Sequence, residues 1–252
     1  MREPARAPGA SHPPNAPRPP AIVRATVFAG LNDNVDEASL YALDGTDGSV
    51  DWRTPATETL RFRNDTPTVA WPRVFLNGGS RLHVFDATNG DPLWSVAAST
   101  YDLDVTAVPA VADGVVYVPC PDGLCAYSIS THARLWAAGG AGQTPAVTGT
   151  RVFAACRSNA SSFLGVCAYD ASTGARIWQR GTKTSVSPPV VANGVVYVGT
   201  SAGFVRAFAT DTGLPLAKIP VEPGTRIALP PIVVNGRLIV AGTRTLYSFG
   251  LP

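Results

Sequence analysis

Four tryptophans recur along this chain at a constant interval. Trp52, Trp94, Trp136 and Trp178 each lie 42 residues from the last. The residues around them repeat too: LYALDGTDGSVDW (40–52), LHVFDATNGDPLW (82–94), CAYSISTHARLW (125–136) and CAYDASTGARIW (167–178). A period near 40 residues, made of short apolar runs and turns, belongs to a β-propeller in which one repeat is one four-stranded blade. The expected fold class is all-β, a propeller of about six such blades.

Each repeat opens with proline and a short apolar strand: PAIV (20–23), PTVA (67–70), PAVA (109–112), PAVT (145–148), PVVA (189–192) and PIVV (231–234). In three repeats a tight turn follows at Asp113-Gly114, Asn193-Gly194 and Asn235-Gly236. Such pairs predict type I′ hairpins, because both central residues need positive φ. The next runs, VVYV (115–118), VVYV (195–198) and RLIV (237–240), are apolar at consecutive positions. That pattern suits a strand covered on both faces by neighbouring blades. The third strand leads into a turn opened by Asp44, Asp86 or Asp170. A carboxylate there can accept backbone N–H bonds, and the turn glycine can take left-handed geometry. This local role, shared by one repeat column, stands against a catalytic role for the three acids. Ser128 and Ala209 fill the same column without disturbing the pattern around them. The fourth strand carries the tryptophan, expected to pack between blades with its N–H on a carbonyl. Repeat five has Ala217 in the tryptophan column, and repeat six stops at TLYSFGLP (245–252), after its third strand. Either residues near the N-terminus close the ring imperfectly, or the blades form an arc of a larger propeller.

Residues 1–19 read as a disordered, proline-rich tether and residues 20–252 as the propeller domain. The tether lacks the apolar centre of a signal peptide, consistent with a start beyond a removed export signal or anchor. Only 15% of residues are charged and the net charge is +2. Neither nucleic acid nor an anionic membrane is implied as a partner. No apolar run is long enough to cross a membrane as a helix.

The AxDxxTGxxxW pattern resembles the tryptophan-docking motif of the pyrroloquinoline-quinone (PQQ) propeller superfamily, over about residues 20–252. That superfamily includes quinoprotein dehydrogenases. It also includes non-catalytic members: the propeller lipoprotein of the outer-membrane β-barrel assembly machine and extracellular sensor domains of bacterial kinases. The dehydrogenases carry a disulfide between adjacent cysteines and long insertions that build a quinone and calcium site. This chain has no adjacent cysteine pair and minimal repeats. The resemblance therefore implies the non-catalytic branch, with no cofactor and no catalytic residue. The expected function is an extracytoplasmic binding, scaffold or sensor module whose partner is a protein, peptide or envelope component. The alternative is a PQQ-dependent or other enzyme with its site in the central channel.

The four cysteines sit in matching columns. Cys120 and Cys125 flank the second hairpin turn of repeat three, and Cys156 and Cys167 flank that of repeat four. Aligning the repeats places each pair opposite one another in an antiparallel ladder, which predicts disulfides Cys120–Cys125 and Cys156–Cys167. Buried free thiols and a four-cysteine zinc site compete, although the spacings are not those of the usual zinc knuckle. Disulfides would place the domain outside the cytoplasm.

Other candidates are weaker. Asp33 and Asp36, in a loop rich in oxygen ligands, loosely suggest calcium, but the loop lacks the EF-hand glycine and terminal glutamate. His83 and His132 have no nucleophile and orienting acid beside them in the repeat map. Two loops suggest interaction elements. One holds Arg157, Asn159 and Phe163. The other is the unrepeated stretch 58–71, where Arg61, Phe62, Arg63 and Trp71 mix cationic and aromatic character.

Overall fold

The computed structural model describes residues 19–32, 38–55, 66–78, 80–98, 108–157 and 164–251. The tether, apart from Pro19, lies outside them. Blade one comprises β1 (Ala21–Val23), β2 (Thr26–Asn32), β3 (Ala38–Asp44) and β4 (Val50–Arg53). Blade two comprises β5 (Thr68–Ala70), β6 (Arg73–Gly78), β7 (Arg81–Asp86) and β8 (Pro92–Ala97). Blade three comprises β9 (Ala110–Ala112), β10 (Val115–Cys120), β11 (Gly123–Ser128) and β12 (Arg134–Ala138). Blade four comprises β13 (Ala141–Thr148), β14 (Arg151–Cys156), β15 (Gly165–Asp170) and β16 (Arg176–Gly181). Blade five comprises β17 (Val190–Ala192), β18 (Val195–Gly199), β19 (Phe204–Ala209) and β20 (Pro215–Pro220). Blade six has three strands, β21 (Ile232–Val234), β22 (Arg237–Ala241) and β23 (Leu246–Gly250). Every sheet is an antiparallel meander in chain order, so the six repeats are six β-propeller blades, the last without an outer strand.

The first turns form as their residues dictate. Asp113 and Gly114 have φ of 48° and 76°, Asn193 and Gly194 50° and 75°, and Asn235 and Gly236 48° and 69°. Blade one makes the same turn from Arg24 and Ala25, at 52° and 65°. No turn-forming residue marks that position, so the flanking ladder imposes the geometry there.

The core lies between blades. Phe75, Leu82 and Val84 of blade two pack on Val116, Val118 and Cys125 of blade three. Phe153, Val166 and Ala168 of blade four pack on Val196, Val198 and Phe208 of blade five. Both faces of β14 are covered, so Val152, Phe153, Ala154 and Ala155 are all buried in succession. Each large aliphatic side chain buried in this way is worth about 1.5–3 kcal/mol of transfer free energy.

Each of the first four seams is closed by an indole. Trp52, Trp136 and Trp178 donate to the carbonyls of Ala87, Ala171 and Thr210, at 3.2, 2.9 and 2.8 Å, on the next blade. The rings rest on the turn glycines Gly90, Gly174 and Gly213 of that blade, whose φ values are 79°, 72° and 66°. A methyl added at any of the three would strike the indole at 2.5–2.7 Å. The second seam departs from the pattern. His132 replaces glycine and stacks on Trp94 at 4.8 Å between ring centroids, and the Trp94 N–H is buried without an acceptor. Between blades four and five, Arg180 adds bonds to the Gly213 and Thr212 carbonyls, and Arg151 pairs with Asp211.

The end blades differ from the inner ones. Leu246 of blade six is 70% exposed, whereas Leu82, Leu124, Val166 and Val205 in the same column are fully buried. In blade one Val27 and Ala29 are half-buried where Val74 and Leu76 of blade two are fully buried. The described residues leave both end faces uncovered.

Replacing Trp136 with alanine should cost about 3–5 kcal/mol. Trp94→Ala should cost roughly 1 kcal/mol less, because its indole makes no hydrogen bond that could be lost. Urea unfolding midpoints of the two variants against the parent check the order.

Candidate interaction surface

The strand order sends the β1–β2 type turns and the acid-led turns to one end of the blades. The disulfide-bearing hairpins and the connections between blades lie at the other. At the first end, each acid is consumed locally. Asp170 Oδ1 accepts from the Ser172 and Thr173 amides at 3.0 and 2.9 Å, and from both hydroxyls. The hydroxyl bond from Ser172 and the amide bond from Thr173 draw the Asp170 carboxyl down to about 2. Asp44 and Asp86 are lowered in the same way, chiefly by the hydroxyls of Thr46 and Thr88. A carboxylate so depressed and so fully bonded is a turn cap, with no proton to give near neutral pH.

At the other end lie two disulfides, Cys120–Cys125 and Cys156–Cys167, each with Cα atoms 5.7 Å apart. The pairing is the one predicted, but the ladder position is corrected. Cys120 faces Gly123 and Cys125 faces Val118, while Cys156 faces Gly165 and Cys167 faces Ala154. The bonded cysteines are therefore diagonal neighbours on one face rather than direct partners. All four are buried in the seams, where they pack as small hydrophobes.

The two described histidines have local packing partners. Burial pushes the His83 imidazole down, and its Nε2 lies 3.2 Å from the Gly78 carbonyl. His132 supplies the ring beneath Trp94. Among the described residues, no three His, Cys, Asp or Glu side chains gather as a metal site would require.

Of the predicted interaction residues, Trp71 and Arg157 are described. Arg157 is exposed just after β14, its N–H bonded to the Gly140 carbonyl. Trp71 falls in the β5–β6 turn, where the Arg24 guanidinium stands 4.6 Å above its ring. Arg24 occupies the equivalent turn of blade one, so the pair bridges two blades and is worth about 0.5–1 kcal/mol when exposed. Asp33, Asp36, Arg61, Phe62, Arg63, Asn159 and Phe163 lie outside the described residues.

One exposed column escaped the sequence reading. In blades two to five the residue before the tryptophan-column position, Leu93, Leu135, Ile177 or Leu216, is an aliphatic 43–56% exposed. Strand alternation turns it to the opposite face from the ring. Its signal was present in the repeat, as an aliphatic where solvent calls for a polar residue.

Consecutive antiparallel blades joined face to face through docked tryptophans define a PQQ-type repeat β-propeller. A family model described as "Outer membrane protein assembly factor BamB" matches residues 7–152 and 124–216, and the chain belongs to that family. It is 25% identical over 225 residues to the outer membrane protein assembly factor BamB of Yersinia pestis, a match covering 83% of this chain and 56% of that protein. The chain thus spans little more than half the length of this curated relative. The crystal structure of BamB from Moraxella catarrhalis superposes with a TM-score of 0.69 at 20% identity, over 91% of this chain and 68% of that one. A quinohemoprotein alcohol dehydrogenase from Pseudomonas putida shares the fold, with a TM-score of 0.69 at 15% identity, over 88% of this chain and 50% of that one.

Two measurements follow. Proteolysis without reduction should release the peptides Cys120–Cys125 and Cys156–Cys167, each crosslink contributing about 2–3 kcal/mol by the chain-entropy model. A Cys120–Cys156 peptide would refute the arrangement. The folded Asp170 carboxyl sits near 2, below its ordinary 3.8. Its stabilising contribution is therefore complete above the ordinary value and fades as pH falls through about 2. Asp170→Ala should flatten this part of the acid unfolding curve and leave the curve above about pH 5 parallel to the parent.

Proposed function

We propose that this chain is a non-catalytic, extracytoplasmic propeller that binds a protein or another envelope component as a scaffold or sensor module. Membership of a family described as an outer membrane protein assembly factor carries the reading. Three physical features support it. The disulfides fit an oxidising compartment. The acids that a catalytic reading would use are tied into turns. The exposed aliphatic column and the open end faces offer apolar area of the kind that marks protein-binding surfaces.

The quinone-linked alternative is favoured only by shared fold with the dehydrogenase. The described residues do not fit that group. The disulfides join cysteines 5 and 11 positions apart rather than adjacent ones, and no cluster of three acidic, His or Cys ligands forms among the described residues.

Affinity capture from envelope fractions should recover a specific protein, and the double variant Leu135→Glu/Ile177→Glu should lower recovery at least tenfold while its melting temperature stays unchanged. Recovery of nothing above background sinks the reading. Saturable absorbance changes on titration with free PQQ would move it to the enzyme alternative.

A further inference from the structure

Charge is divided unevenly between the two halves of this propeller. Residues 1–138, which include blades one to three, hold 10 basic and 15 acidic side chains, whereas residues 139–252, with blades four to six, hold 10 and 3. The whole-chain charge of +2 conceals that partition. The three acids of the second half are all engaged. Asp170 caps its turn, Asp211 pairs with Arg151, and Glu222 Oε2 accepts from the Thr243 amide at 2.9 Å. The first two belong to the end with the acid-led turns. Glu222 is therefore the only side-chain carboxylate at the disulfide end of blades four to six.

At that disulfide end four backbone segments join edge to edge. The β16–β17 connection meets the β18–β19 hairpin through the Ser201 amide, which donates to the Ser185 carbonyl at 2.9 Å. The same hairpin meets the β20–β21 connection through the Ile227 and Gly224 amides, which donate to the Thr200 and Ala202 carbonyls at 3.0 and 3.1 Å. Glu222 ties that connection to the β22–β23 hairpin. Lys183, Arg226 and Arg244 stand exposed on three of these four segments. Among the described residues none of the three makes an ion pair. Other cations of this half are occupied, Arg180 on the Gly213 and Thr212 carbonyls and Lys218 over the Phe204 ring at 4.0 Å. Residues 158–163, outside the described residues, contain no ionisable side chain and cannot neutralise these charges. Leu229, in the same connection as Arg226, is 62% exposed.

We propose that the disulfide end of blades four to six, centred on Lys183, Arg226 and Arg244, binds an acidic segment of a partner protein. The inference rests on the protein-binding reading and names the chemistry of the partner. Exposed charges farther apart than about 10 Å are largely screened at 0.1 M salt, so the acid-rich half does not cancel the attraction at contact. A membrane surface or a duplex nucleic acid is extended and would face that acid-rich half as well, where like charge opposes it. A short acidic segment confined to these three blades meets the cations alone, with Leu229 beside them for an apolar side chain.

The probe is a fluorescein-labelled peptide of three Glu-Glu-Leu-Ser repeats, titrated into the full chain and followed by anisotropy. Binding should saturate and weaken as salt is raised. The same peptide with glutamine in place of glutamate should bind about tenfold more weakly. Arg226→Gln/Arg244→Gln should weaken the acidic peptide by about the same factor and leave the melting temperature unchanged. Arg176→Gln/Arg237→Gln removes equal charge from the opposite end and should leave the affinity as it is. Equal binding of the two peptides, equal loss in the two double variants, or no binding would overturn the proposal. So would tighter binding, sensitive to Arg226→Gln/Arg244→Gln, of vesicles of phosphatidylcholine and phosphatidylglycerol or of duplex DNA. Envelope capture undiminished by Arg226→Gln/Arg244→Gln would also overturn this surface and leave the protein-binding reading standing.

Discussion

The indole laid across the next blade's turn is the contact on which the rest of the fold depends. It joins three requirements that a stack of sheets must meet at each seam. The ring covers apolar area at the outer edge, where strands are short and the core is thin. The N–H satisfies a carbonyl that turn geometry leaves without a ladder partner, as at Ala171 and Thr210. The close approach demands glycine beneath the ring, and that glycine's left-handed conformation is the one that closes the turn. The exposed carboxylate enters the same chain of cause. Asp170 holds the amides of Ser172 and Thr173, the turn brings Gly174 to φ 72°, and Gly174 is the floor for Trp136. An acid on the surface thus helps to shape a seam it does not touch.

Much of this was legible because a repeat states its structure several times. Strand boundaries, the Asx-Gly turns and the missing strand of blade six could be read by aligning columns, since each column has one environment. The cysteine pairing was legible for the same reason. The ladder position was not, because it depends on hairpin length. Gly123 and Gly165 extend β11 and β15 by enough to face Cys120 and Cys156 directly, which leaves the bonded partners diagonal. Trp71 adds a contact that the repeat did not announce: it belongs to a turn column, where the Arg24 guanidinium of the preceding blade's equivalent turn stands over its ring. Proximity along the chain is a poor guide in a meander, because each short strand carries the backbone to the other end of the blade.

The candidate surfaces were harder to see, because exposure has no motif. Leu135 and Ile177 look like core residues by type, and their position one before the ring turns them to solvent. Ala217 in blade five breaks the tryptophan column, a departure that aligning the repeats does expose.

In a stack whose blades touch only their neighbours, stability is close to a sum of blade terms and seam terms. Inner blades share two seams and end blades one, so order should weaken from the middle toward blades one and six. The burial pattern has the same gradient, from the fully covered β14 and β15 to the half-exposed β23. A partner that docks on an end face adds a seam term without altering any existing blade. Its binding free energy is then expressed as stability of the end blade itself.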